Sequence, residues 1–258
     1  MLSSSKQQIA AAFGIESVLV PVLPELLADI WALGSWPEKI VDLLRVSTTL
    51  QHGASVVDLG CGKGAVAIPI ARDLQFRVHG IDLFPPFLGE ARARAESAGI
   101  SELCRFEVGD LRQAFKARRK YDVAVLAAVG AIGDHARTVL EVRRIVRPGG
   151  VLVIDDGFLE NDAGPTPPGY GYYRSRGETV RELTSHGDRM MDERLVPADE
   201  LREYNRINTE LIRRRAAELA ARAPELAEAL ERYVQSEAEE CAFLESRTTA
   251  AIWLLERN

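Results

Sequence analysis

Between residues 55 and 156, short apolar runs alternate with stretches whose apolar positions recur every three or four residues. That alternation is the pattern of βαβ units, in which strands buried on both faces of a parallel sheet are joined by covering helices. The runs Ser55 to Leu59, Arg77 to Ile81, Arg105 to Val108, Tyr121 to Ala128 and Val151 to Asp155 predict five strands. Gly64 to Leu74 predicts the first helix, with Val66, Ile70 and Leu74 on one face. Pro85-Pro86 opens a second helix that runs to Ser97, since proline is tolerated in a first turn. Asp134 to Val146 predicts a third, followed by a turn at Arg147-Pro148-Gly149-Gly150. Five strands joined in this way make a doubly wound sheet.

Beyond residue 156 the pattern changes. Glu178 to His186 reads as a helix, Asp188 to Val196 as a sixth strand and Thr248 to Glu256 as the last. Between these two strands lies an insertion, Asp199 to about Ser246, rich in the strong helix formers Ala, Leu, Glu and Arg and broken at Pro224. It is read as a helical pair packed on the sheet or on a second subunit, or as a cap over a substrate. Arg213-Arg214-Arg215 and Glu237-Glu239-Glu240 read as solvated helix faces. Residues 1 to 45, with Phe13, Trp31 and Trp36, form an N-terminal helical appendage, and residues 50 to 156 form the core of a single domain. Gly157 to Gly177 is a loop rich in Gly, Pro and Tyr, and loops of that length usually carry function.

Composition narrows the partners. A formal charge of −6 and a pI near 5.4 disfavour sequence-independent capture of nucleic acid, which needs a clustered basic surface. Cys61, Cys104 and Cys241 are widely spaced and odd in number, so they suggest neither a disulfide framework nor a metal site. The N-terminus lacks a short apolar run before a small-residue cleavage site, and Val18 to Leu33 is interrupted by Pro21, Pro24, Glu25 and Asp29. The expectation is a soluble, cytoplasmic protein that acts on a small molecule, with no membrane and no nucleic-acid partner.

The stretch Val56-Val57-Asp58-Leu59-Gly60-Cys61-Gly62-Lys63-Gly64 carries the chemistry. An apolar strand runs into three alternating glycines and then a helix, so the main chain can take positive φ and a ligand can approach it closely. The helix start offers free N–H groups and a positive dipole end. A dinucleotide fingerprint is G-x-G-x-x-G, whereas this chain reads D-x-G-x-G-x-G. Asp58 would repel a pyrophosphate but favour the ammonium of an amino acid.

With these residues the chain resembles a class I S-adenosylmethionine-dependent methyltransferase, over about residues 50 to 156 and again at 178 to 196 and 248 to 256. The resemblance implies a Rossmann-like, mostly parallel seven-stranded sheet whose last strand is antiparallel. It implies S-adenosyl-L-methionine as cofactor. Asp58, Gly60, Cys61, Gly62 and Gly64 would meet the methionine half, and Asp82, with Leu83 beside it, the ribose hydroxyls. Gly109-Asp110-Leu111 would meet the adenine, Ala127 would line the same site, and Arg147 to Gly150 matches the family's turn before strand five. Asp82 and Asp110 taken singly read as turn formers, and their joint placement favours binding.

Methyl transfer needs positioning more than covalent help, and a base only if the acceptor must lose a proton. Ala127-Ala128-Val129-Gly130 lacks the N-P-P-Y type of sequence of methyltransferases that act on nucleic-acid bases. His135, Asp156 and Tyr172 are the catalytic candidates, none decisive: His135 also suits a first helical turn, and the tyrosines also suit loop anchors. Of Asp155 and Asp156, one is expected to face the substrate and the other to be structural. The acceptor is expected to offer an oxygen or a nitrogen. Two other readings stay open: a nicotinamide-dependent oxidoreductase, and a cofactor-binding regulator that forms a homodimer through the acidic helices near Glu225 to Glu245.

Overall fold

Apolar alternation becomes structure almost run for run. The computed structural model describes all residues except Met1, Thr48, Thr49, Ala117, Gly130, Ala131, Asp162 and Ala163, and omits the side chains of Leu2 to Ser5. In chain order the helices and strands are α1 (Leu2–Ala12), α2 (Leu23–Leu26), α3 (Pro37–Val46), β1 (Ser55–Leu59), α4 (Ala67–Leu74), β2 (Arg77–Asp82), α5 (Pro85–Ser97), β3 (Cys104–Val108) and α6 (Leu111–Ala114). They continue with β4 (Tyr121–Ala127), α7 (His135–Val142), β5 (Val146–Leu159), α8 (Arg176–Leu183), β6 (Arg189–Leu195), α9 (Ala198–Arg222), α10 (Ala227–Arg247) and β7 (Thr248–Glu256). The strands lie in the order β3-β2-β1-β4-β5-β7-β6. Pairs from β3 through β5 are parallel, and β7 runs antiparallel between β5 and β6. This is the doubly wound sheet with an antiparallel last strand that the pattern and the resemblance implied.

The chain divides into two compact units. Residues 32–196 with 248–258 hold the sheet, and residues 1–31 with 197–247 form a helical unit. Residues 32 to 45, grouped by sequence with the N-terminal helices, belong to the sheet unit through α3. In the helical unit Asp29 receives Arg214 at 2.8 Å and Arg215 at 2.6 Å, and Arg232 reaches Glu16 at 2.7 Å. Part of the basic run read as a solvated face therefore binds residues close in space but distant in sequence. Such exposed pairs contribute at most about 1 kcal/mol each. Among the described residues no single helix is long and apolar enough to cross a membrane.

Both faces of β4 and β5 are buried, Val123, Val125, Val151 and Val153 on one and the cluster around Trp253 on the other. Val57, Leu59, Leu126, Ile154, Phe158 and Trp253 meet Val139 and Val142 of α7 and Leu183 of α8, with Trp253 wholly buried. Burial on both faces is why the central strands read as continuous apolar runs.

Two differences from the sequence reading have local causes. Arg147 to Gly150 is not a turn before strand five but the opening of a 14-residue β5. Gly149 N–H donates to the Arg257 carbonyl and Arg257 N–H to the Gly150 carbonyl, so the C-terminal segment extends the ladder. An added Cβ at Gly150 would lie 2.7 Å from the Asp122 carbonyl oxygen, which explains that glycine. The helix expected through Val146 stops at Val142, and Arg143–Ile145 tightens into a 3-10 turn before β5.

Gly80 in β2 leaves room for its neighbours, since an added Cβ would lie 2.7 Å from the Phe106 ring and 2.8 Å from Cys61 Sγ. Gly80→Ala is expected to destabilise the sheet unit by about 1–3 kcal/mol through overpacking, read as a lower urea midpoint at unchanged slope.

Candidate functional site

Glycines that lack a Cβ shape the turn after β1. Gly60, Gly62 and Gly64 have φ of 74°, 49° and 77°, a region that disfavours other residues. At Gly60 a Cβ would come within 2.5 Å of Val129, so the turn and the chain beyond β4 meet where only glycine fits. The turn is fixed from below: Gly60 and Cys61 donate to the Ile81 carbonyl at 2.8 and 3.1 Å, and Gly62 N–H donates to Asp82 Oδ2 at 2.8 Å. Ordered helix begins at Ala67 rather than Gly64, because the three residues from Gly64 finish the turn first.

Two carboxyl groups lie beneath and beside this turn. Asp58, near the end of β1, is 2% exposed; the Ala67 amide hydrogen-bonds it, and its Oδ2 is buried without a hydrogen-bond partner. Burial, then the charge of Asp82, pushes its carboxyl up to about 7. Asp82, at the end of β2, accepts from Gly62 N–H through one oxygen and from Phe84 N–H at 2.8 Å through the other. Burial raises it above the usual carboxylate value, and these amides, with that of Leu83, partly offset the rise. Cys61 is buried, and its thiol is held well above its ordinary value by burial and by the neighbouring Asp58 and Asp82.

The other predicted contacts gather at the same strand ends. Gly109 N–H donates to the Asp82 carbonyl at 2.9 Å, which brings Gly109, Asp110 and Leu111 next to Asp82 and Leu83. Asp110 also caps α6 by accepting from Arg112 N–H at 2.8 Å, so the turn-forming role is present as well. Ala127 ends β4, one residue beyond the Leu59–Leu126 pairing. Arg147 to Gly150 lies at the amino end of β5, where Arg147 pairs with Asp122, and so takes no part in the site.

Asp155 and Asp156 point to opposite faces of β5, as successive strand residues must. Asp155, 4% exposed, accepts from Trp36 N–H at 2.9 Å and so ties the start of α3 to the end of β5. Burial raises its carboxyl to about 8, against the lowering influence of the Trp36 amide. Asp156 accepts from Tyr172 at 2.9 Å and from Tyr173 at 2.6 Å. His135, wholly buried, puts Nε2 3.3 Å from Asp156 Oδ2 and Nδ1 3.7 Å from Glu182 Oε2. Neither ring nitrogen has hydrogen-bond geometry in this arrangement. The imidazole packs edge-on against Tyr172 and Trp253, with centroids 5.2 and 5.9 Å away.

Thus the three catalytic candidates form one cluster, and the cofactor candidates another, linked through the Ala127–Asp155 pairing of β4 with β5. The Ala127-Ala128-Val129-Gly130 segment leads away from that pairing, with Gly130 outside the described residues. Ala128 holds φ at 54°, costly for a residue with a side chain and kept by its N–H bond to the Asp155 carbonyl.

Sequence reading missed several contributors. Lys63, inside the glycine turn, is wholly buried with Nζ 3.4 Å from Glu90 and 5.0 Å from the centroid of the Phe87 ring. Trp36 and Glu182 reach their partners only through tertiary packing, and Tyr173, one of the loop tyrosines named from the sequence, is held on Asp156. Gly157 was a hint: a Cβ there would lie 2.9 Å from the Tyr173 hydroxyl.

Residues 56–150 match a family model described as a methyltransferase domain. The chain is 28% identical over 146 residues to 27-O-demethylrifamycin SV methyltransferase of Amycolatopsis mediterranei, covering 56% of this chain and 51% of that one. It is 34% identical over 124 residues to YjhP of Escherichia coli, covering 47% and 48%. The chain therefore spans about half the length of these relatives. Its fold is that of a solved methyltransferase from Thiobacillus denitrificans in complex with S-adenosyl-L-homocysteine, at a TM-score of 0.75, 23% identity and coverage of 92% and 98%.

The raised Asp58 carboxyl has a stability consequence. A folded value of about 7 against an unfolded value near 3.8 means that the folded state binds more protons between them, so its contribution falls as pH rises through that window. Asn mimics the neutral acid. Asp58→Asn is expected to match the wild type near pH 4 and to gain stability relative to it toward about pH 8, read as the difference in urea midpoints.

Proposed function

We propose, from the match of residues 56–150 to a methyltransferase-domain model and from the turn after β1, that the protein is a class I, S-adenosylmethionine-dependent methyltransferase that moves a methyl group to an oxygen or nitrogen of a small-molecule acceptor. The observation that carries the reading is one turn that joins three left-handed glycines to two buried carboxyl groups, with an unsatisfied Asp58 oxygen among them. A phosphate would meet repulsion there, whereas a ligand with an ammonium and a nucleoside finds a counter-charge and hydroxyl acceptors.

S-adenosylmethionine, when bound, supplies a methyl group already activated by its sulfonium. The chain's own groups hold and orient. Asp82 would accept from the ribose hydroxyls, Asp110 and Leu111 would border the adenine, and the main chain of Gly60 to Gly64 would admit the amino-acid half. Asp58 would answer its ammonium. Around the acceptor, Asp156 and Tyr172 take hold of the O–H or N–H that must lose its proton. His135 touches neither partner of the reaction and positions Asp156 from the buried side.

Isothermal titration tests the first half. Asp82→Ala is expected to weaken S-adenosylmethionine at least about a hundredfold, because two charge-assisted bonds of roughly 1.5–3 kcal/mol each are lost. Unchanged affinity overturns the assignment, and binding of NADH instead redirects it to hydride transfer.

Release of S-adenosylhomocysteine across phenols, catechols and amines tests the second half. With an accepted substrate, Asp156→Asn is expected to lower kcat by roughly 10²–10⁴ while cofactor affinity stays within about twofold. Tyr172→Phe should cost less, since it removes a neighbour of the carboxylate rather than the proton acceptor.

A further inference from the structure

Asp58 and Asp82 face the same turn from adjacent strands, yet their surroundings are unequal. Asp82 receives amide hydrogens from Gly62, Leu83 and Phe84, donors that stabilise a carboxylate. Asp58 receives only the Ala67 amide among the groups that act on it, and its second oxygen is sealed from solvent without a partner. Among the described residues no cation acts on its carboxyl. Lys63, the basic residue of the turn, is directed to Glu90 and Phe87. Arg92 of α5 acts on Cys61 and donates to the Phe106 carbonyl. From β4 the residue opposite Asp58 is Val125, and α4 contributes apolar side chains and the Ala67 amide. The titratable groups that face Asp58 are therefore Asp82 and the thiol of Cys61.

Two neighbouring carboxyl groups out of water do not both ionise without a counter-charge. The better-solvated one, Asp82, keeps the negative charge, and Asp58 keeps the proton. We infer that Asp58 selects ligands that carry an ammonium group, and that it ionises only when such a ligand binds, releasing one proton to solvent for each ligand captured. The carboxyl O–H bond breaks, the proton passes to the buffer, and the new carboxylate balances the ammonium. This rests on the reading that the turn holds the amino-acid half of an adenosyl cofactor. It adds that capture of that half is coupled to the loss of the Asp58 proton.

Titration calorimetry of the full chain with S-adenosylhomocysteine near pH 6, in phosphate and in bis-Tris, reads the proton directly, because the two buffers differ in ionisation heat. Most of one proton should be released near pH 6 and little at about pH 8.5, with affinity rising close to tenfold per pH unit below about 7 and levelling above. Methylthioadenosine keeps the nucleoside but lacks the amino acid, and should bind without release. Asp58→Asn should bind S-adenosylhomocysteine with heat independent of buffer. Equal release with both nucleosides, or release that persists in Asp58→Asn, overturns the inference. So does buffer-independent heat for the wild type. Should the variant fail to fold, the comparison of the two nucleosides on the wild type decides. If neither nucleoside binds at millimolar concentration, the cofactor reading itself fails, an outcome distinct from binding without a proton.

Discussion

Two carboxyl groups held out of water at the ends of β1 and β2 set the terms for the rest of the sheet unit. Burying them is costly, so the surrounding chain is arranged to satisfy one and tolerate the other. The glycine turn folds over them because its amides must point inward, and only residues without a Cβ allow the required φ values. Gly80 is small because Phe106 and Cys61 crowd the floor beneath. Each feature makes local sense as support for a buried polar pair beneath the glycine turn.

A second constraint operates at the end of β5. The strand runs to Leu159 instead of ending at Asp155 because β7 pairs with it throughout, Leu159 against Thr248 included. That extension fixes the opposite faces of Asp155 and Asp156. One carboxyl then anchors α3 through Trp36, and the other collects two tyrosine hydroxyls and the buried edge of His135. Glu182 completes the arrangement by accepting from the His135 amide at 3.2 Å, so α7 and α8 are registered by the same histidine that flanks Asp156. A single fully buried imidazole between two acidic groups is a demanding thing to place, and the packing of Trp253 and Tyr172 on its faces is what holds it.

Much of this was legible beforehand, for identifiable reasons. β1, β2 and β7 and the helix from Pro85 to Ser97 emerged almost to the residue, because buried strands and a proline-initiated helix leave strong local patterns. The grouping of Asp58, the three glycines and Asp82 was readable because all of them lie near the carboxyl ends of adjacent strands, where topology alone converges. The Arg147 to Gly150 segment misled, since its composition is that of a turn. The backbone partner of Gly149 and Gly150, Arg257, lies 108 and 107 residues away from them in sequence. Lys63 was overlooked because lysine is almost never fully buried unless paired, and its partner Glu90 sits on the next helix.

The sequence by itself determined the order of strands and helices, the glycine turn and the gathering of Asp58, the three glycines and Asp82 at neighbouring strand ends, because these depend on local patterns and on strand ends that the winding of the sheet brings together. Only the tertiary structure decided which carboxyl lacks a partner, which groups Asp155 and Asp156 each bind, and that His135, Asp156 and Tyr172 meet. Those outcomes depend on side-chain burial and on contacts between distant segments, and neither desolvation nor a hydrogen bond across the fold leaves a periodic trace in the chain.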